Sequence, residues 1–207
     1  MYIAHRGLVN QFCKENTIAA FKAAIKSPKY IGYELDVRLS KDNKFIVYHD
    51  LIYNGKLVKN VLYKDLKKEN VPLLEDVLNL KTDKIIMIEI KDYNINLKKL
   101  ANMLNKYNYK NIYVISFNNK ILDEIKKYLV NIKIGTLNYV LNSKEDYSKY
   151  DCVCILNYFL TNNLIDYFKS CNIEVIGYGL KNIKSINNDD LKFLREIIDN
   201  AKKETTK

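Results

Sequence analysis

The stretch that decides the fold runs from residue 33 to residue 50 and reads Tyr-Glu-Leu-Asp-Val-Arg-Leu-Ser-Lys-Asp-Asn-Lys-Phe-Ile-Val-Tyr-His-Asp. Two apolar-rich runs flank its centre, Lys41-Asp42-Asn43-Lys44, which has the composition of a turn that closes a β-hairpin. The stretch therefore predicts two antiparallel strands joined by a short turn.

The acidic and histidine residues of this hairpin are predicted to share one face. A turn centred between Asp42 and Asn43 pairs Asp36 with His49. Glu34 lies one same-face step from Asp36, about 7 Å along the strand, because side chains repeat every two residues. Two carboxylates and an imidazole then lie together; a solvated polar face on an edge hairpin is the alternative interpretation.

The composition indicates one globular domain. The 207 residues suit a single domain, a hydrophobic fraction of 48% is enough for a core, and two Pro and six Gly argue against long linkers. No apolar run approaches the roughly 18 residues needed to span a bilayer, and the first residues lack the basic and apolar regions of a signal peptide. We therefore expect one domain over residues 1–207, a cytoplasmic location and no stable membrane insertion.

The net charge of +10 comes mostly from lysine. Such a charge favours anionic partners, including phosphorylated small molecules and nucleic acid. The lysines are scattered, and the arginines, which lead in reading nucleic-acid grooves, are Arg6, Arg38 and Arg195. We therefore expect a small anionic substrate and no nucleic-acid partner, with the oligomeric state left open.

Strand-like and helix-like segments alternate along the chain. Short apolar runs typical of buried strands span residues 2–4, 33–39, 85–91, 112–117, 132–137, 152–156 and 173–177. Apolar residues at helical spacing lie between or after them, at residues 18–25, 74–78, 97–107, 120–129, 162–170 and 189–201. Asn16 or Thr17 is the predicted N-cap of the first helix.

This alternation predicts a parallel sheet, either doubly wound or closed as a (β/α)₈ barrel. The barrel is favoured because polar residues follow several different strands, and a barrel gathers such residues at the carboxyl end of its sheet. Seven βα strands and the returning arm of the hairpin can be counted, without a clear eighth strand. We predict an α/β fold of the TIM-barrel type, incomplete or irregular at the last strand, with a β-hairpin after strand 2.

Polar residues that can support catalysis lie at the ends of these strands. They are His5, Arg6, Glu34, Asp36, His49, Glu89 and Lys91. A carboxylate such as Glu89, in a strand that otherwise looks buried, needs a partner or a metal because burying it alone is costly. His5 and His49 are the only histidines of the chain, and both fall beside the acidic residues. The set predicts a functional site.

Several short motifs follow one another over roughly the first 120 residues of the chain. They are Ala4-His5-Arg6-Gly7, Glu15-Asn16-Thr17 with Ala20-Phe21, Glu34-Leu35-Asp36-Val37, Lys41-Asp42, Val47-Tyr48-His49-Asp50, Val71-Pro72-Leu73-Leu74-Glu75-Asp76-Val77-Leu78, Glu89-Ile90-Lys91 and Ser116-Phe117. In this order they resemble the glycerophosphodiester phosphodiesterase family. Each motif alone is weak evidence, but the ordered set is specific.

The resemblance implies a barrel of the phospholipase-C-like phosphodiesterase type, with a divalent metal held by Glu34, Asp36 and Glu89. Three carboxylates form a hard oxygen site suited to Mg²⁺ or Ca²⁺. Zinc is less favoured because the histidines have another role and no thiolate is near in sequence. One divalent ion, Mg²⁺ or Ca²⁺, is the expected cofactor.

The resemblance also implies that His5 and His49 act as general acid and base, in an order that the sequence leaves open. One imidazole can accept a proton from the nucleophile while the other protonates the departing alkoxide. Arg6 and Lys91 are expected to bind the phosphate and to neutralise charge in the transition state. The nucleophile is either water or a neighbouring glycerol hydroxyl, which would give a cyclic intermediate.

Three motif residues have alternative interpretations. Glu15 precedes a helix, where a carboxylate stabilises the first turn, so it is expected to support the site more than to contact metal or substrate. Lys91 has the alternative role of a charged partner that satisfies Glu89. Asp50 is expected to position the His49 loop.

The chain departs from the family pattern near its seventh strand. Family members usually carry Trp-Thr-Val-Asn there, whereas this chain has no Trp and offers Ile176-Gly177-Tyr178-Gly179-Leu180. Tyr178 and Phe117 are the candidates for an aromatic wall of the alcohol pocket. The acid, base and metal positions are unaffected by this departure.

The hypothesis that follows is a metal-dependent phosphodiesterase acting on glycerophosphodiesters such as glycerophosphocholine or glycerophosphoethanolamine. It would release sn-glycerol 3-phosphate and an alcohol. A lysophospholipase D-type enzyme of the same superfamily would use the same histidines but would need an apolar groove for a lipid tail. A barrel that binds an anion or a partner without catalysis is the alternative from another class.

Overall fold

The structure is a computed structural model that describes residues 1–107 and 111–179. The described strands, in chain order, are β1 (Tyr2–Ala4), β2 (Tyr30–Leu39), β3 (Phe45–Val47), β4 (Ile52–Tyr53), β5 (Lys56–Leu57), β6 (Ile85–Ile90), β7 (Ile112–Ser116), β8 (Lys133–Asn138), β9 (Cys152–Leu156) and β10 (Glu174–Tyr178). The main sheet has the order β1-β2-β6-β7-β8-β9-β10, all parallel, with β3 antiparallel to β2. The predicted seven parallel strands and hairpin arm are confirmed.

Helices connect the successive parallel strands except β8 and β9, between which the chain forms the 3₁₀ turn Tyr147–Lys149. They are α1 (Ile18–Lys26), α2 (Tyr63–Leu66), α3 (Leu74–Leu78), α4 (Leu97–Leu104), α5 (Asn119–Ile125) and α6 (Asn162–Ser170). Thr17 is the N-cap of α1, since its side-chain oxygen accepts a hydrogen bond from Ala20 N at 3.3 Å. Helices α4 and α5 end before the predicted boundaries, and α5 continues as a 3₁₀ turn, Lys126–Tyr128.

Side chains that alternate along each strand fill two separate cores. On β6, Met87 packs with residues of β7, β8 and β9 inside the curled sheet, whereas Ile86 and Ile88 belong to the core between sheet and helices. Ile3 of β1 and Ile176 of β10 pack against that same inner cluster. Because these two strands are at opposite ends of the hydrogen-bonded path, the sheet curls around a common interior. The predicted α/β barrel-type fold is confirmed.

Barrel closure concerns the end of the chain. Within the described residues no pairing joins β10 to β1. The predicted irregularity at the last strand and the predicted helix at 189–201 lie outside the described residues, and a single domain over residues 1–207 stays a prediction. None of the described helices is long and apolar enough to cross a membrane.

The hairpin differs from its predicted register by one residue. Tyr48 N donates to Asp36 O at 2.9 Å, which continues the pairing of β2 with β3. Asp36 therefore lies opposite Tyr48, and the predicted pairing of Asp36 with His49 is wrong. The loop between the two strands has five residues, 40 to 44, with Asn43 in the left-handed region (φ 56°). Because the loop has an odd number of residues, the centre of the turn falls on a residue and not between two residues.

The amino end of the interior holds a pair of opposite charges. Lys133 Nζ lies 2.6 Å from Glu174 Oε1. Tyr113 OH donates to Glu174 at 2.9 Å and accepts from Lys133 Nζ at 2.8 Å. Lys133 and Glu174 are the first residues of β8 and β10, so these charges neutralise each other at the end of the barrel where the strands begin.

Candidate metal and catalytic site

Three carboxylates lie together at the carboxyl end of the barrel interior. Glu34 and Asp36 are on β2, and the parallel register with β6 sets Asp36 beside Glu89. One oxygen from each carboxylate lies within 4.8 Å of the oxygens of the other two. The residues are 8%, 1% and 8% exposed, respectively. The structure thus brings together the three residues predicted as metal ligands.

Two oxygens of this cluster are unsatisfied in the part of the chain that the structure describes. Glu34 Oε1 makes no hydrogen bond, and neither does Asp36 Oδ1, which Lys91 Nζ approaches to 3.3 Å. Burial raises the pKa of Glu34 well above its ordinary value, and the Asp36 charge raises it further. Burial also raises the pKa of Glu89, against the opposing effect of Lys91. Buried carboxylates in this condition indicate that a cation is still needed.

The cluster fits a hard divalent cation. Oxygen ligands lie about 2.0–2.1 Å from Mg²⁺ and about 2.3–2.6 Å from Ca²⁺. Three oxygens within 4.8 Å of one another are near this spacing, so small side-chain movements would bring all three to one ion. The donors are carboxylates, without sulfur or imidazole, which is the chemistry that Mg²⁺ and Ca²⁺ prefer.

Two cationic side chains already contact the cluster. Lys91 Nζ lies 2.8 Å from Glu89 Oε1, and Arg6 Nε lies 3.4 Å from Asp36 Oδ2. Burial lowers the pKa of Lys91, but Glu89 and Asp36 more than offset this effect, so the pKa is raised overall. The contact between Lys91 and Glu89 matches the alternative role considered for this lysine. Phosphate binding by Arg6 and Lys91 stays a prediction.

The loop after β1 brings Arg6 to the cluster through its backbone. Arg6 (φ 55°) and Gly7 (φ 83°) are both left-handed, and a Cβ on Gly7 would lie 2.8 Å from Ala20 Cβ, so glycine is required there. Arg6 N donates to Glu34 Oε2 at 2.9 Å. Both oxygens of Glu15 accept from Arg6 Nη1 at 3.0 Å. Glu15 therefore contacts Arg6 and is not part of the carboxylate cluster, and its supporting role stays a prediction.

His5 lies at the mouth of the cluster. Its Nε2 is 3.9 Å from Glu34 Oε2, and its side chain is 73% exposed. Partial desolvation of the imidazole lowers the pKa of His5 below 6.5. The Arg6 charge lowers this pKa further, whereas the Asp36 charge raises it. A neutral imidazole that solvent can reach is suited to accept a proton.

His49 lies on the loop after β3. Its Nδ1 is 2.8 Å from Asp50 Oδ1. A charge on His49 contributes to lowering the pKa of both Glu89 and His5, so the ring lies near both groups although it does not face Asp36 across the hairpin. With Nδ1 beside Asp50, Nε2 is the ring nitrogen that can exchange a proton with a substrate. Asp50 thus contacts the ring, and its positioning role stays a prediction.

Asn16 is a site residue whose role the sequence did not reveal. It is buried with φ 53°, and its Nδ2 donates to Asp36 Oδ2 at 2.8 Å while Asp36 N donates to its Oδ1 at 3.4 Å. Asn16 therefore orients Asp36 and covers the oxygen that faces away from Lys91. In the sequence Asn16 was a candidate N-cap and a member of the Glu15-Asn16-Thr17 motif, without a role of its own in the site. Because Thr17 caps the helix by itself, the asparagine directly before it was the available signal of a second role.

An aromatic group lies at the carboxyl ends of β7, β8 and β10. Phe117 stacks on Tyr139, with ring centroids 4.7 Å apart, and meets Tyr178 edge to face at 6.4 Å. Tyr178 OH donates to Asn138 O at 3.0 Å. The predicted aromatic residues Phe117 and Tyr178 are thus in contact. Tyr139 was missed because it follows its strand without a motif.

Comparison with known proteins gives a consistent result. The model of the glycerophosphoryl diester phosphodiesterase family matches residues 5–198. A glycerophosphodiester phosphodiesterase from Caldanaerobacter subterraneus is 36% identical, over 66% of this chain and 66% of its own length. For two further curated relatives the aligned share of their length is 44%. The chain thus spans less than two thirds of the curated relatives that it matches first.

Solved structures share the fold. A glycerophosphodiester phosphodiesterase from Thermotoga maritima matches with a TM-score of 0.67 and 25% identity, over 93% of this chain and 89% of that chain. A phosphodiesterase from Oleispira antarctica, solved with the product sn-glycerol-3-phosphate, matches with a TM-score of 0.73 and 18% identity, over 86% and 83%. At 18% identity the second likeness concerns the fold alone.

Proposed function

The chain belongs to the glycerophosphoryl diester phosphodiesterase family, and from this premise we propose that it is a metal-dependent hydrolase of glycerophosphodiesters. Its products would be sn-glycerol 3-phosphate and an alcohol such as choline or ethanolamine. The observation that carries the proposal is the cluster of Glu34, Asp36 and Glu89, buried with two unsatisfied oxygens beside two histidines.

The carboxylates would hold one Mg²⁺ or Ca²⁺. When bound, this ion supplies the positive charge that polarises a phosphoryl oxygen. Their raised pKa values mean that Glu34 and Glu89 must release protons before a cation binds, so binding weakens at acid pH. Asn16 would keep Asp36 in the orientation that presents Oδ1 to the cation.

The two histidines would move the protons of the reaction. His5, whose lowered pKa keeps its ring neutral, would accept a proton from the attacking hydroxyl, either of water or of the glycerol. As the new P–O bond forms, the bond to the alcohol breaks, and His49 Nε2 would donate a proton to the departing alkoxide. Asp50, at His49 Nδ1, would hold the imidazole ring in the orientation needed for that donation. Where the glycerol hydroxyl attacks, water would then open the cyclic phosphate to sn-glycerol 3-phosphate, with His49 accepting the proton of the water and His5 returning its proton to the glycerol oxygen that leaves.

The remaining residues would bind and orient the substrate. Arg6 and Lys91 lie at the cluster and would stabilise the charge that develops on the phosphoryl oxygens. Phe117, Tyr139 and Tyr178 would form one wall beside the alcohol group. These roles rest on proximity to the cluster.

The decisive experiment is a turnover assay with purified protein. Glycerophosphocholine and glycerophosphoethanolamine are each incubated with Mg²⁺, Ca²⁺ or EDTA, and sn-glycerol 3-phosphate is measured. We expect turnover with at least one ion, none in EDTA, and recovery when the ion is restored. Asp36→Asn should be inactive, whereas Glu174→Gln, at the other end of the barrel, should match the wild type.

Absence of turnover across a panel of head groups and both ions would overturn the proposal in favour of a binding barrel. Lysophosphatidylcholine belongs in the same panel. Turnover of this lipid alone would assign the chain to the lysophospholipase D-type activity instead.

A further inference from the structure

The buried side chain of Arg38 pairs with the half-buried Asp92 and reaches the backbone of His49. Arg38 Nη1 lies 2.6 Å from Asp92 Oδ1, and Arg38 Nε donates to His49 O at 2.8 Å. The other carboxylate oxygen, Asp92 Oδ2, accepts from Leu39 N at 2.7 Å. The Arg38 side chain is 9% exposed. Both ends of the pair are therefore fixed, one on β2 and one on the segment after β6.

The pair joins the three segments that carry the candidate site. Arg38 lies two residues after Asp36, and Asp92 directly follows Lys91. His49 has already left the sheet, since β3 ends at Val47. Beyond that point, two side chains of the described residues hold His49: Arg38 binds its carbonyl and Asp50 binds its ring.

A buried guanidinium suits this task better than any other side chain. Its planar fork donates in two directions at once, so it can bind a carboxylate and a carbonyl in fixed geometry. Asp92 neutralises the buried charge, which would otherwise be costly. A lysine has one ammonium at the end of a flexible stem and cannot reproduce both contacts in that plane.

We propose that Arg38 and Asp92 are positioning residues that set His49 over the carboxylate cluster. This inference rests on the proposed function for its effect on catalysis. Its structural part, that the pair fixes His49, stands apart from turnover. Substituting either partner should free the His49 loop and leave His5, which directly follows β1, unaffected.

The first test uses the fact that the chain has two histidines. Imidazole NMR signals are recorded for the metal-free wild type, Arg38→Lys and Asp92→Asn, with His5→Gln to assign them. We expect the His49 signals to shift or broaden in both variants while the His5 signals stay in place. Lys133→Met is the control from a distant ion pair and should move neither. Unchanged His49 signals in both variants would overturn the proposal.

The second test is a double-mutant cycle on turnover. Arg38→Lys should lower kcat by about 10- to 100-fold, the usual cost of removing a group that orients a catalytic residue, with a much smaller change in KM. In the His49→Ala background the same substitution should cost nothing further, because its effect passes through His49. An additive loss in that background would overturn the proposal.

Thermal melting of each variant separates positioning from unfolding. Asp92→Asn keeps the shape of the side chain and serves where Arg38→Lys fails to fold. If the wild type hydrolyses no diester, the proposed function fails, while the NMR test still decides whether the pair positions His49.

Discussion

The two ends of the barrel interior both hold charges, but only the amino end balances them. There, Lys133 and Glu174 pair at 2.6 Å and Tyr113 bonds to both. At the carboxyl end, three carboxylates face Lys91 and Arg6, and two of their oxygens make no hydrogen bond within residues 1–107 and 111–179. The same fold therefore contains a completed ion pair and an incomplete one.

This difference separates a structural charge from a functional one. A completed pair has no capacity for another ligand. An incomplete cluster destabilises the metal-free protein. A cation that binds there relieves this destabilisation, and the relief contributes to the affinity for the cation. Substitutions at the two ends should therefore have opposite consequences for stability and for turnover.

The largest expected effect is on turnover at the carboxyl end. His5→Ala and His49→Ala should each lower kcat by about 10²- to 10⁴-fold, because each removes one proton transfer. Lys133→Met should leave kcat unchanged. A diester with a p-nitrophenol leaving group should restore much of the rate of His49→Ala, since this leaving group needs no acid, and little of the rate of His5→Ala. The measurement is steady-state turnover, and an unaffected histidine variant would disprove the acid and base assignment.

The second effect is a gain in stability at the carboxyl end. In EDTA, Glu34→Gln should raise the free energy of unfolding by about 0.5–2 kcal/mol, because it removes a buried charge beside Asp36. Its amide oxygen can still accept from Arg6 N. The variant should also lose the stabilisation that Mg²⁺ or Ca²⁺ gives the wild type. Urea denaturation with and without metal measures both, and a variant less stable than wild type in EDTA would contradict the comparison.

The third effect is the pH dependence of the metal-free protein. Burial raises the pKa of Glu34 and Glu89, so the folded state binds more protons than the unfolded chain between the ordinary and the raised pKa values. Stability from these groups is present at acid pH and is lost as pH rises through the raised values, by at most about 1.4 kcal/mol per pH unit per group.

Thermal melting in EDTA across this range provides the check. Saturating Mg²⁺ or Ca²⁺ should add more stability at higher pH, because the ion binds the deprotonated carboxylates. Glu34→Gln should flatten the slope in EDTA. If the stability of the wild type in EDTA instead rises with pH, other titrating groups dominate its pH dependence.

The smallest effect is expected at the amino end. The Lys133 and Glu174 side chains are 40% and 48% exposed, so Lys133→Met should cost about 0–1 kcal/mol, and high salt should reduce the difference. Denaturant unfolding at low and high salt measures it. A loss of several kcal/mol would mean that the amino end behaves like a buried pair, and the contrast between the two ends would weaken.

The sequence determined the architecture and the chemical content of the site. The local periodicity of apolar residues predicts the strands and helices, and their alternation predicts the α/β barrel-type fold. Because parallel strands end on one side of a sheet, Glu34, Asp36 and Glu89 were expected together, and the structure places them so. The residue types alone were sufficient to predict that a positive partner is needed, since a buried carboxylate requires a cation wherever it lies.

The tertiary structure alone decided the contacts between ordinary residues. The hairpin register depended on one left-handed backbone at Asn43, which shifted the partner of Asp36 from His49 to Tyr48. Arg38 and Asp92 are 54 positions apart, and nothing in either neighbourhood predicts their pairing. Local patterns carry a period of two or 3.6 residues, whereas such contacts depend on strand order and register in space. The sequence therefore predicted the chemical groups of the candidate site, whereas the tertiary structure determined which residues hold those groups in place.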